Sequence, residues 1–218
     1  MTNTDYKNYS LREFNKAAEQ FDNNNPSVYN LCRNDYPDIL SEIETEDWYD
    51  LLDAGCGTGA VISLLNDKYP DKNYTGIDLS PKMIDVAKRK NNRANFVCCD
   101  CEELPFVDDL FDVVICSQSF HHYPNPEKFF CNVRRVLKPY GRLILRDMTT
   151  SNIALLWIFN HIEIPILNLV LKKGDVRVYG KKDIAKLCET SGLILEKFEC
   201  QKGFRLHCVC RNIGELYA

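Results

Sequence analysis

Leu51-Leu52-Asp53-Ala54-Gly55-Cys56-Gly57-Thr58-Gly59 decides how this chain folds. An apolar run ends in a carboxylate, three glycines follow at alternate positions, and a helical pattern with Val61, Leu64 and Leu65 comes next. Closely spaced glycines let the backbone turn sharply and let a ligand approach main-chain atoms with no Cβ in the way. Gly55-x-Gly57-x-x-Ala60 fits the degenerate dinucleotide fingerprint loosely, and a tight strand-to-helix turn that holds nothing is the bland alternative.

On either side, short apolar runs alternate with amphipathic helices, the pattern of a parallel α/β sheet. Strands are expected over Tyr49–Asp53, Asn73–Asp78, Asn95–Asp100, Phe111–Ser117 and Gly141–Met148. Ser80-Pro81 and Asn125-Pro126 each place a capping residue before a proline at the first helical position. The helix opened by Asn125 is expected to stop at Pro139-Tyr140-Gly141, and a last helix spans Lys181–Ser191. Beyond Gly192 two strands flank a turn containing Gly203. In the second, Phe204, Leu206, Cys208 and Cys210 alternate with Arg205, His207 and Val209, which predicts an antiparallel hairpin. Residues 1–45 are helical in character, with Leu11, Phe14, Ala17, Ala18 and Phe21 on one face and a break at Asn23-Asn24-Asn25-Pro26.

The acids at the strand ends carry the chemistry. Asp53 stands just before the glycines, where it would oppose a phosphate drawn to the helix N-terminus and would suit an ammonium group. Asp78 ends the second strand, where a carboxylate can accept both hydrogen bonds of a ribose diol, and Asp100 ends the third. Three acids ending three successive strands point at one crevice. Asp112, by contrast, reads as a turn cap ahead of the fourth strand.

Leu-Asp-Ala-Gly-Cys-Gly-Thr-Gly (52–59), Gly-Ile-Asp-Leu-Ser-Pro-Lys-Met (76–83), Asp100 ahead of Leu104-Pro105-Phe106, and Leu-Lys-Pro-Tyr-Gly-Arg (137–142) together closely resemble class I S-adenosylmethionine-dependent methyltransferases. The likeness is greatest to the small-molecule branch that includes ubiquinone/menaquinone-biosynthesis-type enzymes, and it covers residues 49–148. It implies an α/β, Rossmann-like three-layer sandwich: a mainly parallel seven-stranded sheet ending in an antiparallel hairpin. It also implies that Asp53, Gly55 and Gly57 face the methionine part of the cofactor, while Gly59 permits close helix packing. Asp78 would bind the ribose hydroxyls, Leu79 and Met83 would flank the adenine, Asp100 and the backbone of Cys101 would read the adenine edge, and Ser117 would lie beside the methionine moiety. Cys56 and Cys101 vary in the family pattern, so their side chains are assigned no chemistry.

The resemblance implies methyl transfer from S-adenosylmethionine, leaving S-adenosylhomocysteine, to an O, N or activated C atom of a small acceptor. His121 and His122 leave the fourth strand where donor and acceptor should meet, and a histidine there can titrate near neutral pH. His122 is the preferred candidate base; a loop-packing imidazole is the alternative. His161 and His207 read as structural. The competing readings are a nicotinamide-dependent oxidoreductase, opposed by Asp53 and the hairpin, a cofactor-binding regulator without turnover, and an RNA or protein methyltransferase.

Composition narrows the partners. The chain has 218 residues and a formal net charge of -4, which supplies no electrostatic reason for a polyanionic partner, so nucleic acid is disfavoured. Its 11 cysteines lack paired metal-ligand spacing, so no metal is expected, and free thiols together with the start Met-Thr-Asn-Thr-Asp predict a cytoplasmic protein. Residues 153–171 are apolar but hold Asn160, His161, Glu163 and Pro165, whereas a spanning helix needs ~20 nearly uninterrupted apolar residues. They are expected to form two short segments covering a pocket or core, with a weak membrane-surface contact left open. One domain is expected, as monomer or homodimer: an N-terminal helical cap (1–45), a cofactor-binding core (46–148), a cap insertion (149–180) and a C-terminal helix and hairpin (181–218). Phe14, Tyr29, Trp157 and Phe159 in the caps favour an aromatic or partly apolar acceptor.

Overall fold

The computed structural model describes residues 1–22 and 32–214. The Asn23–Pro26 break and Tyr29 lie outside them. Seven strands form one sheet: β1 (Asp50–Ala54), β2 (Asn73–Asp78), β3 (Asn95–Cys98), β4 (Phe111–Ser117), β5 (Leu137–Met148), β6 (Leu193–Gln201) and β7 (Arg205–Asn212), in the spatial order β3-β2-β1-β4-β5-β7-β6. The first five are parallel, and β7 runs antiparallel to both β5 and β6. Strand order reverses between β1 and β4, and the crevice beyond their carboxyl ends is where such sheets bind ligands.

The α-helices are α1 (Asn3–Ala17), α2 (Tyr36–Ile43), α3 (Ala60–Lys68), α4 (Pro81–Lys90), α5 (Pro126–Val136), α6 (Ile153–Leu171) and α7 (Lys181–Ser191). Alternation along the strands divides the core between the two faces. Leu52, Val114 and Leu145 pack with Phe129 of α5 and Leu187 of α7. Leu51, Val113 and Ile144 pack with Ile39 of α2 and Ile62 of α3. Both faces are covered, hence the near-continuous apolar runs of β1 and β4. α1 lies outside this frame: Phe14, Ala17, Ala18 and Phe21 meet Met83 and Val86 of α4.

Four expectations are corrected. β3 stops at Cys98, because pairing with β2 ends at Asp78↔Cys98; Asp100 sits in the following turn and accepts the Glu102 N–H at 2.9 Å. α5 ends at Val136, and β5 begins at once: Leu137 pairs with Phe111, the register shifts, and pairing resumes at Val113↔Arg142. Asp112 lies inside β4, where its carboxylate accepts the N–H groups of Tyr49 and Asp50 at 2.9 and 2.8 Å and pins the entry to β1. Residues 153–171 form one continuous helix that passes Pro165 through a π turn over Phe159–Glu163. A proline cannot donate to the turn before it and crowds the carbonyl four residues back; a wider turn accommodates it. Most of that helix is exposed rather than covering a core.

A buried ion pair ties the segment before α2 to the sheet. Asp35 and Arg146 are both 0% exposed, with Asp35 Oδ1 2.7 Å from Arg146 Nη2. Arg205 Nε adds a bond at 2.9 Å, and Gln118 Nε2 donates to the other oxygen at 2.6 Å. Removing Asp35 leaves the buried Arg146 with the part-exposed Asp38 carboxylate, at 2.8 Å, as its one remaining charged partner among the described residues. Asp35→Ala should therefore cost on the order of 3–5 kcal/mol in urea unfolding, and a loss under about 1 kcal/mol would show that these charges behave as surface charges.

Candidate functional site

The backbone after β1 turns with positive φ at Gly55 (78°), Gly57 (52°) and Gly59 (73°). The N–H groups of Gly55 and Cys56 both donate to the Ile77 carbonyl, at 2.9 and 2.8 Å, locking the turn onto the end of β2. A Cβ at Gly55 would stand 2.1 Å from Ser119 Oγ, so the loop after β4 closes directly on it. A Cβ at Gly57 would meet nothing within 4 Å, which leaves an open cradle facing the crevice. Gly59 instead packs: its missing Cβ lies 3.0 Å from Phe96 and 3.2 Å from Ala87.

Two adjoining cavities occupy the crevice. The first, about 580 Å³, is walled by Asp53, Gly55, Gly57, Asp78, Met83 and Ser117. The second, about 490 Å³, is walled by Gly55, Asp78, Leu79, Asp100, Cys101 and His122. Gly55, Asp78, Ser119 and Phe14 belong to both. The expected site residues thus converge, except that Gly59 lines neither cavity and that Leu79 and Met83 stand in different ones. The aromatic wall of the first cavity is Phe14, Phe21 and Tyr36. Trp157 is 54% exposed and stacks on His161 at 4.8 Å, and Phe159 packs against Phe204, so these two cap aromatics line neither cavity.

Asp53 is 2% exposed. Its Oδ2 and the Ser117 Oγ are buried with no hydrogen-bond partner in the protein. Burial, with the nearby Asp78 charge adding to it, pushes the Asp53 carboxyl up to about 7. Burial also raises Asp78 to about 6, partly offset by the N–H groups of Ser80 and Gly57 that it accepts at 2.8 and 2.9 Å. A cationic ligand group would relieve the first acid, and hydroxyl donors would suit the remaining lone pairs of the second.

Lys7 and Glu102 were not legible in the sequence as site residues. Lys7 Nζ reaches across from α1 to Asp100 at 2.6 Å and also pairs with buried Glu102, contacts 93 and 95 residues apart that no local pattern signals. Lys7 thereby ties α1 to the far end of the second cavity.

The two histidines lie on a 3₁₀ turn, Phe120–His122. His121 Nδ1 is 2.7 Å from buried Asp147, whose other oxygen accepts the His121 backbone N–H at 3.0 Å. Burial alone would lower His121, but the Asp147 carboxylate outweighs it and raises the imidazole to about 9. His122 goes the other way: burial and the neighbouring His121 charge push it down. Its Nδ1 faces the Gly174 carbonyl at 3.3 Å and Asp175 Oδ1 at 3.2 Å, both acceptors, so Nδ1 carries the proton and Nε2 keeps its lone pair. Among the described residues, His121, His122 and Asp175 are also the group whose donor atoms come together, within 4.8 Å, as metal ligands do. Asp175 Oδ1 lies 3.8 Å from His121 Nε2 and 3.2 Å from His122 Nδ1, so one carboxylate faces both imidazoles.

A Rossmann-like sheet with this strand order and a glycine turn between two strand-end carboxylates is the architecture of the methyltransferases. Residues 52–145 match the family described as methyltransferase domain. The demethylmenaquinone methyltransferase of Thermotoga maritima is 30% identical over 150 residues, 67% of this chain and 64% of that protein. A phthiotriol/phenolphthiotriol dimycocerosates methyltransferase of Mycobacterium ulcerans is 32% identical over 149 residues, 67% of this chain and 54% of that protein. The chain thus spans less than two thirds of the length of these curated relatives. Among solved structures, the Burkholderia thailandensis 1,6-didemethyltoxoflavin-N1-methyltransferase, with 1,6-didemethyltoxoflavin and S-adenosylhomocysteine bound, shares the fold with a TM-score of 0.69 at 17% identity, covering 97% of this chain and 90% of that one.

The perturbed groups set two pH dependences. Raised carboxyls mean that the free protein loses stability as pH climbs from the unfolded value near 3.8 through about 7 for Asp53, while a cationic ligand gains affinity over the upper part of that range. S-adenosylhomocysteine affinity, read by calorimetry, should therefore weaken by up to ~10-fold per pH unit below about 6. Asp53→Asn should flatten much of that slope; an unchanged slope would dissociate Asp53 from the ligand. His121 slopes the same way in a higher window: its pairing contributes stability below 6.5 that is lost as pH rises towards 9. Thermal melting of Asp147→Asn should lack this loss.

Proposed function

We propose that the chain is an S-adenosylmethionine-dependent methyltransferase acting on an O, N or activated C atom of a small, partly apolar acceptor. One observation carries this reading: two buried, unpartnered oxygens, Asp53 Oδ2 and Ser117 Oγ, flank a glycine cradle that a Cβ would fill. An amino-acid ammonium beside them restores the hydrogen bonds that burial removes. Asp78, already oriented by two backbone N–H groups, has the geometry to receive a ribose diol. Leu79, Asp100 and the Cys101 backbone would hold the adenine end, with Lys7 closing over it.

The cofactor, when bound, supplies a methyl group that its sulfonium already activates. The protein's work is then alignment and exclusion of water. Phe14 lines both cavities, so α1 covers the whole crevice and not the acceptor end alone. The aromatic wall of Phe14, Phe21 and Tyr36 suits an acceptor with an apolar or ring-bearing body. Relatives named for demethylmenaquinone and for phthiotriol dimycocerosates support the same chemistry. Where the acceptor must lose a proton, His122 Nε2 can take it. His121, held protonated by Asp147, cannot.

Calorimetry with S-adenosylmethionine, S-adenosylhomocysteine and NAD tests the cofactor, and S-adenosylhomocysteine release over a panel of quinols, phenols and fatty acids tests the reaction. Binding of NAD without S-adenosylhomocysteine would overturn the reading. For an acceptor with a proton to lose, His122→Gln should lower kcat by ~10²-fold or more with cofactor affinity nearly unchanged. An unaltered kcat would leave His122 only the task of holding residues 174–175.

A further inference from the structure

α6 carries its apolar face on the outside. Ile153 is 79% exposed, Leu169 80% and Val170 68%, with Trp157, Ile162 and Ile166 also exposed between them. The side turned to the protein carries Leu155, Leu156, Phe159 and Leu167 and is anchored by two amides. Asn160 exchanges two hydrogen bonds with the Val178 backbone, at 2.9 and 2.8 Å. Two turns on, Asn168 donates to the Asp175 carbonyl at 2.6 Å and accepts from the Gly174 N–H at 2.9 Å. Ile164 is buried between these two amide anchors. A surface helix in water normally keeps its outward side polar. Here the amide bonds fix the rotation of the helix, so its apolar outer side stays exposed.

A contiguous apolar surface of this size marks an interaction site. Its rim indicates what it meets. α6 ends at Lys172, and the exposed cations Lys172 and Arg12 both lie over the Tyr9 ring, at 5.9 and 5.6 Å. Lys16 is exposed one turn further along α1, and Lys173 pairs with Glu13. On the outer side of α6, Glu163 is the one carboxylate, and Trp157 stacks on His161 there. Apolar side chains, an exposed tryptophan and a cationic border describe a helix that lies in the headgroup layer of an anionic bilayer. The helix is long enough to cross a membrane, but its amide anchors and buried Ile164 hold it flat on the domain.

We propose that α6 docks this protein on anionic lipid surfaces, apolar face in the acyl boundary and the Arg12–Lys172 border against phosphate headgroups. Gly174 and Asp175, which follow α6, touch His122 in the wall of the second cavity, so the docking helix and the crevice share this segment. Vesicle binding is measured without turnover, so its outcome is separate from that of the methyltransferase reading.

The test is flotation of the full chain with phosphatidylcholine vesicles, with and without phosphatidylglycerol, at low and high salt. Wild type should float with the anionic vesicles, less with neutral ones, and less as salt rises. Trp157 should be quenched by brominated lipid in those vesicles, while buried Trp48 is spared. Leu169→Glu with Val170→Glu should reduce binding at least ~10-fold with unchanged melting and S-adenosylhomocysteine affinity. Lys172→Glu with Arg12→Glu should remove only the preference for anionic lipid. Absence of flotation, or flotation undiminished by the two glutamates, overturns the proposal. So does a dimer in sedimentation that the glutamates dissociate while no vesicles bind, since the face would then belong to a second copy.

Discussion

Two carboxylates at the ends of adjacent parallel strands, Asp53 buried and Asp78 part-buried, govern everything built above the sheet. Asp53 and Asp78 follow runs buried on both faces, and the register of β1 with β2 sets their glycine turn and helix start side by side. Raising Asp53 from 3.8 to about 7 corresponds to roughly 4 kcal/mol spent against ionisation. A fold keeps such a strained group where a ligand relieves it. The glycine turn makes that possible: φ is positive at Gly55 and Gly57, and a side chain at Gly55 would collide with Ser119.

α1 is the second organising element. It contributes Phe14 to both cavities, Lys7 to the acid beyond β3 and Ser10 to the buried contact with Gly174. One amphipathic helix therefore couples the two cavities and the segment that leads from α6. Its packing rests on Met83 and Val86, one turn apart on α4, so anything that shifts α4 shifts the lid as well.

The adjacent histidines show how strongly surroundings divide identical side chains. His121 faces a buried carboxylate and keeps its proton; His122 faces a carbonyl, an aromatic ring and the charge of His121, and gives its proton up. The result is a fixed positive charge next to a neutral imidazole at the mouth of the crevice. Neither role follows from sequence position.

The order of strands and helices, the terminal hairpin and the three-acid crevice were all legible in the sequence, because hydrophobic period and glycine and proline punctuation are local signals. β2, β4 and α7 have the bounds the sequence predicts. What tertiary structure decided depends on distant partners. β3 ended early because β2 ran out beside it, and Lys7 met Asp100 across 93 residues. The buried Asp35–Arg146 pair, the unequal histidines and the outward turn of the apolar α6 have the same origin. Burial and hydrogen bonding are properties of the assembled neighbourhood, and a residue's own segment carries no record of which charges will be brought to face it.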